Sequence, residues 1–228
     1  NPHWQPERLT HGRADICFLR DAKTPMTKEE VREVSICKLH LTQNAVVYDI
    51  GSGTGSVAIE IAGVPGRVQV YAIERKPEAV ELLRKNQEHF HMDNIQIIEA
   101  PAPEGLEELP VPTHAFIGGS GGRLLDILRV LYRKNPHMRI VINAISMETI
   151  AELKEVLDTF PVEEEEILQM QVSRVKKLLS YHLPQAENPV WICSFTFRET
   201  GKDPMDNSKK TKPGAEETGN GKNGEVQR

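Results

Sequence analysis

An acidic residue followed by three regularly spaced glycines is the feature of this sequence that most clearly suggests chemistry. In VVYDIGSGTGSVAIEIA, Asp49 lies near the end of an apolar run, and Gly51, Gly53 and Gly55 follow at every second position. Glycines at a turn between a strand and a helix let a ligand approach the backbone, and the start of the helix offers free N–H groups. The stretch therefore predicts a nucleotide-like ligand at this turn.

The spacing of the glycines and the position of the acid narrow the class of ligand. Dinucleotide sites carry GxGxxG and hold an anionic pyrophosphate at the helix N-terminus, whereas this chain has GxGxG. A carboxylate at Asp49 would repel a pyrophosphate, but it would suit S-adenosylmethionine, which carries an ammonium and a sulfonium and no phosphate. The cofactor-binding residues expected here are Asp49, Gly51, Ser52, Gly53, Thr54 and Gly55.

A second acid lies at the end of the next strand-like run. Glu74 ends YAIE and follows Gly51 by 23 residues. An acid about 20 residues after the first glycine commonly binds ribose hydroxyls, and a carboxylate can accept hydrogen bonds from both of them. The two acids and the glycines together are typical of class I methyltransferases that use S-adenosylmethionine.

The segments around these residues alternate between strand-like and helix-like patterns. Apolar, β-rich runs predict five strands, in AVVYDI, RVQVYAIE, IQIIEA, HAFIGG and RIVINAI. The segments between them predict helices, of which the first begins at a capping box of Thr27 and Glu30, another has Pro77 in its first turn, and the last is capped by Ser146. This alternation predicts an α/β fold with a mostly parallel sheet and helices on both faces.

The last two strand-like runs depart from this alternation. They are EEILQMQVSRV and NPVWICSFTF, with only a loop between them. In the second run Trp191, Cys193, Phe195 and Phe197 alternate onto one face. Two strands without a crossover helix pair antiparallel. We therefore predict a Rossmann-like class I methyltransferase fold whose sheet closes with antiparallel edge strands at the C-terminal side.

Composition limits the classes of partner and compartment. The formal net charge of −5 does not suit broad electrostatic capture of nucleic acid. No apolar run approaches the roughly 20 residues that span a bilayer, so no membrane partner is expected. Cys17, Cys37 and Cys193 are too scattered for a disulfide framework. We predict that they are buried free thiols, which indicates a reducing, cytoplasmic compartment.

Changes in composition predict the organisation of the chain. Residues 1–20 are interpreted as an N-terminal extension or linker, and residues 21–198 as the methyltransferase domain. Residues 199–228 are polar and rich in Gly and Lys, which predicts a disordered tail. The chain begins NPHWQPERLTHG, without Met, so we expect a piece of a longer protein, which leaves room for another domain before it.

Several stretches resemble the CbiT/CobL-type precorrin methyltransferases of cobalamin synthesis, in order from about His11 to Phe197. They are PMTKEEVR from Pro25, YDIGSGTGSVAIE from Tyr48, FIGGSGG from Phe116, VINA from Val141, QVSR from Gln171 and ENPVWI from Glu187. The resemblance implies methylation of a precorrin macrocycle at carbon 15, with loss of carbon dioxide from the acetate on carbon 12. It also implies a homotetramer built partly by the late strands and, in some organisms, fusion to a second methyltransferase domain.

The resemblance adds residues to the candidate site. Thr27 would contact the cofactor, and the main-chain N–H of Ala102 would meet the adenine, although Pro101 replaces the aspartate that the family often has. FIGGSGG would lie beside the methyl group, where glycines leave room for a wide, flat tetrapyrrole, and arginines would suit its carboxylates. The substrate-binding candidates are Gly118, Gly119, Ser120, Gly121, Arg123 and Arg174, and the candidates for a catalytic role are Asn143 and Arg174.

Two other functions stay open at the level of the sequence. A methyltransferase acting on RNA or on a protein side chain would carry a basic face and an amine-binding motif after the fourth strand, and neither is found. A non-catalytic cofactor-binding module would retain the same loop and acids. The eight histidines show no ligand-like spacing, so we expect no protein-bound metal, and any cobalt would arrive inside the substrate.

Overall fold

A seven-stranded sheet forms the centre of the structure, a computed structural model that describes residues 12–201 and residue 204. The strand order is β3-β2-β1-β4-β5-β9-β6. Its strands are β1 Val46–Ile50, β2 Gln69–Glu74, β3 Ile95–Glu99, β4 His114–Ile117, β5 Arg139–Ala144, β6 Val162–Met170 and β9 Val190–Phe197. Strands β1 to β5 pair in parallel, whereas β9 pairs antiparallel with both β5 and β6. The predicted fold class is confirmed.

Five helices cover the two faces of the sheet. They are α1 Glu29–Leu39, α2 Ser56–Ala62, α3 Pro77–Phe90, α4 Leu124–Lys134 and α5 Met147–Thr159. The apolar sides of α1, α2 and α3 form one core layer, and those of α4 and α5 form the other. Successive strand residues point to opposite faces, so Val47 lies in the first layer and Tyr48 in the second.

The starts of the helices confirm only some of the caps predicted from the sequence. The hydroxyl of Ser146 accepts a hydrogen bond from the N–H of Thr149 at 3.2 Å, as a cap of α5 does. Helix α1 instead starts after Lys28, which occupies the capping position without a side-chain bond. The predicted capping box of Thr27 and Glu30 is therefore wrong, because the helix begins one residue later than the box requires.

A hairpin lies where the sequence analysis placed only a loop. Strands β7 Ser173–Leu178 and β8 Tyr181–Ala186 form a separate two-stranded sheet between β6 and β9. The strand predicted in EEILQMQVSRV is thus divided between β6 and β7. The hairpin escapes prediction because β8, YHLPQA, is exposed along its whole length and lacks the alternation of a half-buried strand.

The described part of the predicted N-terminal extension packs on the domain. Phe18 follows a short 3-10 helix, Asp15–Cys17, and is only 4% exposed. The side chain of Arg13 pairs with buried Glu60 of α2 at 2.9 Å. The boundary at residue 21 stays a prediction, and residues 1–11 and the predicted tail beyond residue 201, apart from residue 204, lie outside the described residues.

The three cysteines are free thiols of unequal exposure. Cys193 is buried in the sheet, Cys17 is intermediate and Cys37 is exposed on α1. The prediction of buried thiols is therefore wrong for Cys37, because this face of α1 meets solvent. Within the described residues, no helix has both the length and the apolar character that crossing a bilayer requires.

Candidate active site

A cavity of about 460 Å³ lies where β1, β2 and β4 end. This is the edge of an open α/β sheet at which ligands commonly bind, because the loops after parallel strands converge there. Most of the candidates named from the sequence line it: Thr27, Gly51, Ser52, Gly53, Glu74, Ala102, Gly118, Gly119, Ser120, Gly121 and Arg123. Asp49, Thr54 and Gly55 do not belong to the lining.

The three glycines of the loop are required by the surrounding protein. All have positive φ, at 73°, 56° and 80° for Gly51, Gly53 and Gly55. A Cβ atom added to Gly51 would lie 2.6 Å from the carbonyl oxygen of Gly119, and one added to Gly53 would lie 2.8 Å from that of Pro25. At Gly55 it would lie 2.1 Å from a methyl group of Leu83.

These contacts correct the physical reason given for the glycines. The glycines were expected to make room for a ligand, whereas the atoms that exclude a side chain belong to other segments of the chain. The loop after β1 is held between the segment before α1 and the loop after β4. Because Gly51 and Gly53 carry no side chains, the loop approaches Gly119 and Pro25 closely, and all four residues line the cavity.

Glu74 organises the loop and also faces the cavity. One carboxylate oxygen accepts the N–H of Gly53 at 2.9 Å. The other accepts the N–H groups of Arg75 and Lys76 at 2.8 and 3.0 Å. The side chain is 8% exposed and belongs to the lining. Glu74 thus presents a carboxylate to the cavity, and its binding of ribose hydroxyls stays a prediction.

Asp49 lies behind the loop and is fully buried. Its Oδ2 accepts hydrogen bonds from the hydroxyl of Ser52 at 2.6 Å and the N–H of Ala58 at 3.1 Å. Its Oδ1 is buried without a hydrogen-bond partner. Burial raises the pKa of Asp49 to about 7, against the lowering effect of those two donors. In this structure Asp49 fixes the loop, and its effect on a cofactor stays a prediction.

A second cavity of about 530 Å³ adjoins the first. Pro25, Thr27 and Gly118 line both cavities and form the wall between them. Asn143 lines the second cavity, where its side-chain amide bonds the hydroxyl of Ser35 at 3.0 Å. Asn143 and Gly118 thus line the same cavity at the ends of neighbouring strands, and a catalytic role for Asn143 stays a prediction.

Most residues that line the second cavity were not among the candidates named from the sequence. They are Pro25, Met26, Lys28, Val31, Ile145, Met170, Val172, Gln185, Ala186, Glu187, Asn188 and Val190. Several come from the hairpin region, which the sequence did not reveal. Eight of the missed residues were within reach, because they belong to stretches quoted for the resemblance: Pro25, Met26, Lys28, Val31, Val172, Glu187, Asn188 and Val190.

Both candidate arginines are paired with acids. Arg123 contacts Glu104 at 2.6 Å at the mouth of the first cavity. Arg174 contacts Glu30 at 2.5 Å and Glu187 at 2.9 Å, and it lines neither cavity. The positive charge of each is thus compensated within the chain, and binding of substrate by either arginine stays a prediction.

No candidate metal centre is found among the described residues. Across residues 12–201, no group of three or more His, Cys, Asp or Glu side chains is arranged to hold a metal ion. His3 and His11 lie outside the described residues. The expectation of no protein-bound metal stays a prediction.

Comparison with known proteins identifies relatives along most of the chain. A cobalt-precorrin-6B C(15)-methyltransferase (decarboxylating) of Salmonella typhimurium is 35% identical over 179 residues, 78% of this chain and 92% of that protein. The crystal structure of a precorrin-6Y C5,15-methyltransferase from Geobacter metallireducens is 34% identical, has a TM-score of 0.76, and covers 82% of this chain and 97% of its own. That of a precorrin 8W decarboxylase from Methanobacterium thermoautotrophicum is 35% identical, has a TM-score of 0.73, and covers 80% of this chain and 98% of its own.

A family model gives the same result with explicit bounds. Residues 17–196 match the precorrin methyltransferase domain. This range includes the lining of both cavities, which runs from Lys23 to Val190. The resemblance inferred from short motifs is confirmed: the chain belongs to the precorrin methyltransferase domain family.

Proposed function

We propose that this chain is an S-adenosylmethionine-dependent C-methyltransferase of cobalamin synthesis. It methylates precorrin-6B, or its cobalt form, at carbon 15 and removes the acetate carboxyl on carbon 12 as carbon dioxide. The observation that carries the proposal is the pair of adjoining cavities that share Pro25, Thr27 and Gly118 as their wall. A donor in one and a macrocycle in the other would meet at that wall.

The residues of the first cavity fit S-adenosylmethionine. Glu74 offers an anionic acceptor beside the loop, which suits ribose hydroxyls. The main-chain N–H of Ala102 suits the adenine, and Thr27 closes the side toward the second cavity. Asp49 lies outside the lining, so we propose that its charge acts on the cationic end of the cofactor from behind the loop.

The cofactor and the macrocycle supply most of the covalent chemistry of this reaction, and the protein supplies little. S-adenosylmethionine, when bound, supplies the methyl group. A conjugated carbon of the macrocycle can serve as nucleophile, and the ring can accept the electrons that decarboxylation releases. The chain therefore has to hold the two reactants in the correct geometry, which alone accounts for much of a rate enhancement. Gly118 at the shared wall leaves space for a flat ring to approach.

The product of the reaction tests this function directly. The protein is incubated with precorrin-6B, or its cobalt form, and methyl-labelled S-adenosylmethionine, and the tetrapyrrole is analysed by mass spectrometry. We expect a gain of one methyl group and a loss of one carbon dioxide. Label in RNA or protein instead of tetrapyrrole would contradict the assignment, as would cofactor binding with no methyl transfer to either precorrin.

Affinity for the cofactor should rise between pH 6 and pH 8. With a pKa of about 7, Asp49 is mostly protonated at pH 6 and mostly ionised at pH 8. A cation nearby favours the ionised form, so binding of S-adenosylmethionine should release a proton and tighten as the pH rises. Calorimetry at the two pH values measures both effects.

Two comparisons isolate the contribution of Asp49 to this pH dependence. S-adenosylhomocysteine lacks the sulfonium charge and should show a smaller change, and Asp49→Asn should show almost none. The free energy of unfolding gives an independent check: because burial raises the folded-state pKa above its usual 3.8, stability should fall as the pH rises from about 4 to about 7. An equally steep affinity change in Asp49→Asn would contradict the prediction.

We also propose that the protein is a homotetramer in which a second copy covers the hairpin of β7 and β8. Five apolar residues of the hairpin are between 47% and 86% exposed: Val175, Leu178, Leu179, Tyr181 and Leu183. An isolated two-stranded hairpin is marginally stable in water. Packing against another copy would stabilise it and remove this apolar surface from solvent.

A charge placed in the hairpin should lower the mass of the assembly. Light scattering should give a smaller particle for Val175→Glu than for the wild type, because the carboxylate would be buried without a partner. Val111→Glu is the matched control, since Val111 is equally exposed, at 59% against 63%, but lies between β3 and β4. A wild-type protein of monomeric mass would contradict the proposal.

The domain bounds of the chain and its cellular location are also proposals. We propose residues 21–198 as the methyltransferase domain, preceded by an extension of which residues 13–19 pack on α2 and α3. We also propose a cytoplasmic location, which the exposed free thiol of Cys37 supports because such a thiol persists best in a reducing compartment. Thiol labelling of intact cells, followed by fractionation, tests the location.

A further inference from the structure

We propose that Lys28 binds a carboxylate of the substrate in the second cavity, the cavity lined by Met26, Asn143 and Met170. The inference rests on the proposed function, because it requires a substrate that carries several carboxylates. It assigns to Lys28 the role that the sequence analysis gave to Arg123 and Arg174.

The position of Lys28 places it beside the wall between the cavities. It directly follows Thr27, which lines both cavities, and it directly precedes α1. Among the described residues that line the second cavity, Lys28 is the only cation and Glu187 the only anion. A carboxylate entering this cavity therefore meets a single lysine close to the expected place of methyl transfer.

The negative charge of Glu187 is partly offset from outside the cavity, by an arginine that Glu187 shares with Glu30. Glu187 accepts a hydrogen bond from the guanidinium of Arg174 at 2.9 Å, and Arg174 does not line the cavity. The pairing holds Glu187 in place and reduces its repulsion of an anionic substrate. Among the described residues of this lining, Lys28 is therefore the one that offers a positive charge to an anion.

Among the described residues, Asp15 is the acid that pairs with Lys28, and its hydrogen bonds do not depend on the lysine. Asp15 lies 3.8 Å from the ammonium group, at the outer limit of an ion pair. Its Oδ1 already accepts hydrogen bonds from the N–H of Glu29 at 3.0 Å and from the guanidinium of Arg32 at 3.3 Å. The lysine side chain is 33% exposed, and ion pairs of this kind are weak. Lys28 can therefore turn toward a ligand at little cost.

The rest of the lining suits the body of a tetrapyrrole. Apolar side chains, including Met26, Val31 and Met170, offer contact to a flat conjugated ring. Asn143 and Asn188 offer neutral hydrogen bonds to its edge. A charge-assisted hydrogen bond from Lys28 to one peripheral carboxylate would then fix the orientation of the macrocycle in the cavity. The carboxylate that Lys28 holds would thereby decide which ring carbon faces Gly118.

Two probes that share one corrin ring separate charge from packing. Cobyrinic acid is a corrinoid with free carboxylates, and its heptamethyl ester has none. We expect Lys28→Met to weaken binding of the acid about tenfold, the usual effect of losing a charge-assisted bond, and to leave the ester unchanged. Lys28→Arg should restore most of the affinity. Lys85→Met is the control, because Lys85 lies on α3 and lines neither cavity.

The same variants are then measured in turnover and in cofactor binding. Lys28→Met should raise KM for the precorrin and leave the Kd of S-adenosylmethionine unchanged. Equal binding of cobyrinic acid by the wild type and Lys28→Met would overturn the inference, as would an equal loss for acid and ester, or failure of the wild type to bind the acid. A wild type that binds the acid but forms no methylated product would contradict the proposed function alone, since the comparison of acid with ester still tests Lys28.

Discussion

Replacing Gly53 with valine should weaken binding of S-adenosylmethionine by at least about 100-fold and leave the domain folded. Gly53 has a φ of 56°, a region that costs a β-branched residue on the order of 1–2 kcal/mol. Its new Cβ would lie 2.8 Å from the carbonyl oxygen of Pro25, so one of the two segments must move. Both segments line the first cavity, the proposed cofactor site.

The displacement would also break the contact that joins the loop to Glu74. The N–H of Gly53 donates to this carboxylate at 2.9 Å, and the carboxylate is the expected ribose acceptor. Strain, a moved cavity wall and a lost hydrogen bond therefore act together. A factor of 100 corresponds to about 2.7 kcal/mol, which two of these effects suffice to supply.

Gly201→Val is the matched control for backbone strain. Gly201 has a similar φ of 67°, but a Cβ atom there would have no neighbour within 4 Å. Calorimetry should find the cofactor affinity of Gly201→Val unchanged, and circular dichroism should show that both variants fold. Nearly normal affinity in a folded Gly53→Val protein would mean that the cofactor lies away from this loop.

Replacing Glu74 with alanine should weaken cofactor binding by a similar factor, on the order of 100-fold. The carboxylate is the predicted acceptor for two ribose hydroxyls, and hydrogen bonds to a charged group contribute roughly 1.5–3 kcal/mol each. The substitution also removes the acceptor of three main-chain N–H groups, those of Gly53, Arg75 and Lys76. The loop would therefore lose its anchor together with the ribose contact.

Glu99→Ala provides the comparison for Glu74→Ala. Glu99 ends β3 in register with Glu74 at the end of β2, but it is exposed and does not line the cavity. Its substitution should leave the Kd unchanged. Glu74→Gln, which keeps an acceptor but loses the charge, should fall between the wild type and Glu74→Ala. Equal affinities in Glu74→Ala and Glu99→Ala would remove Glu74 from the site.

The two candidate arginines form ion pairs that the sequence does not reveal. Arg123 and Arg174 are reasonable candidates because a polycarboxylate substrate needs cations. Their charges are nevertheless compensated by acids at distant positions, since Arg174 meets Glu30 across 144 residues of chain. No local sequence pattern reveals such a pairing. The role proposed for Lys28 likewise follows only from the residues that surround it in the folded chain.

The amino-acid sequence by itself determined the fold class, the glycine loop and Glu74 as a cavity residue. These features depend on hydrophobic period and turn chemistry, which are local properties of the chain. Only the tertiary structure decided that Asp49 lies behind the loop, that Gly55 packs against Leu83, and that a hairpin follows β6. The physical reason is that each depends on which distant segments pack together, and that is settled by burial and close packing across the whole domain.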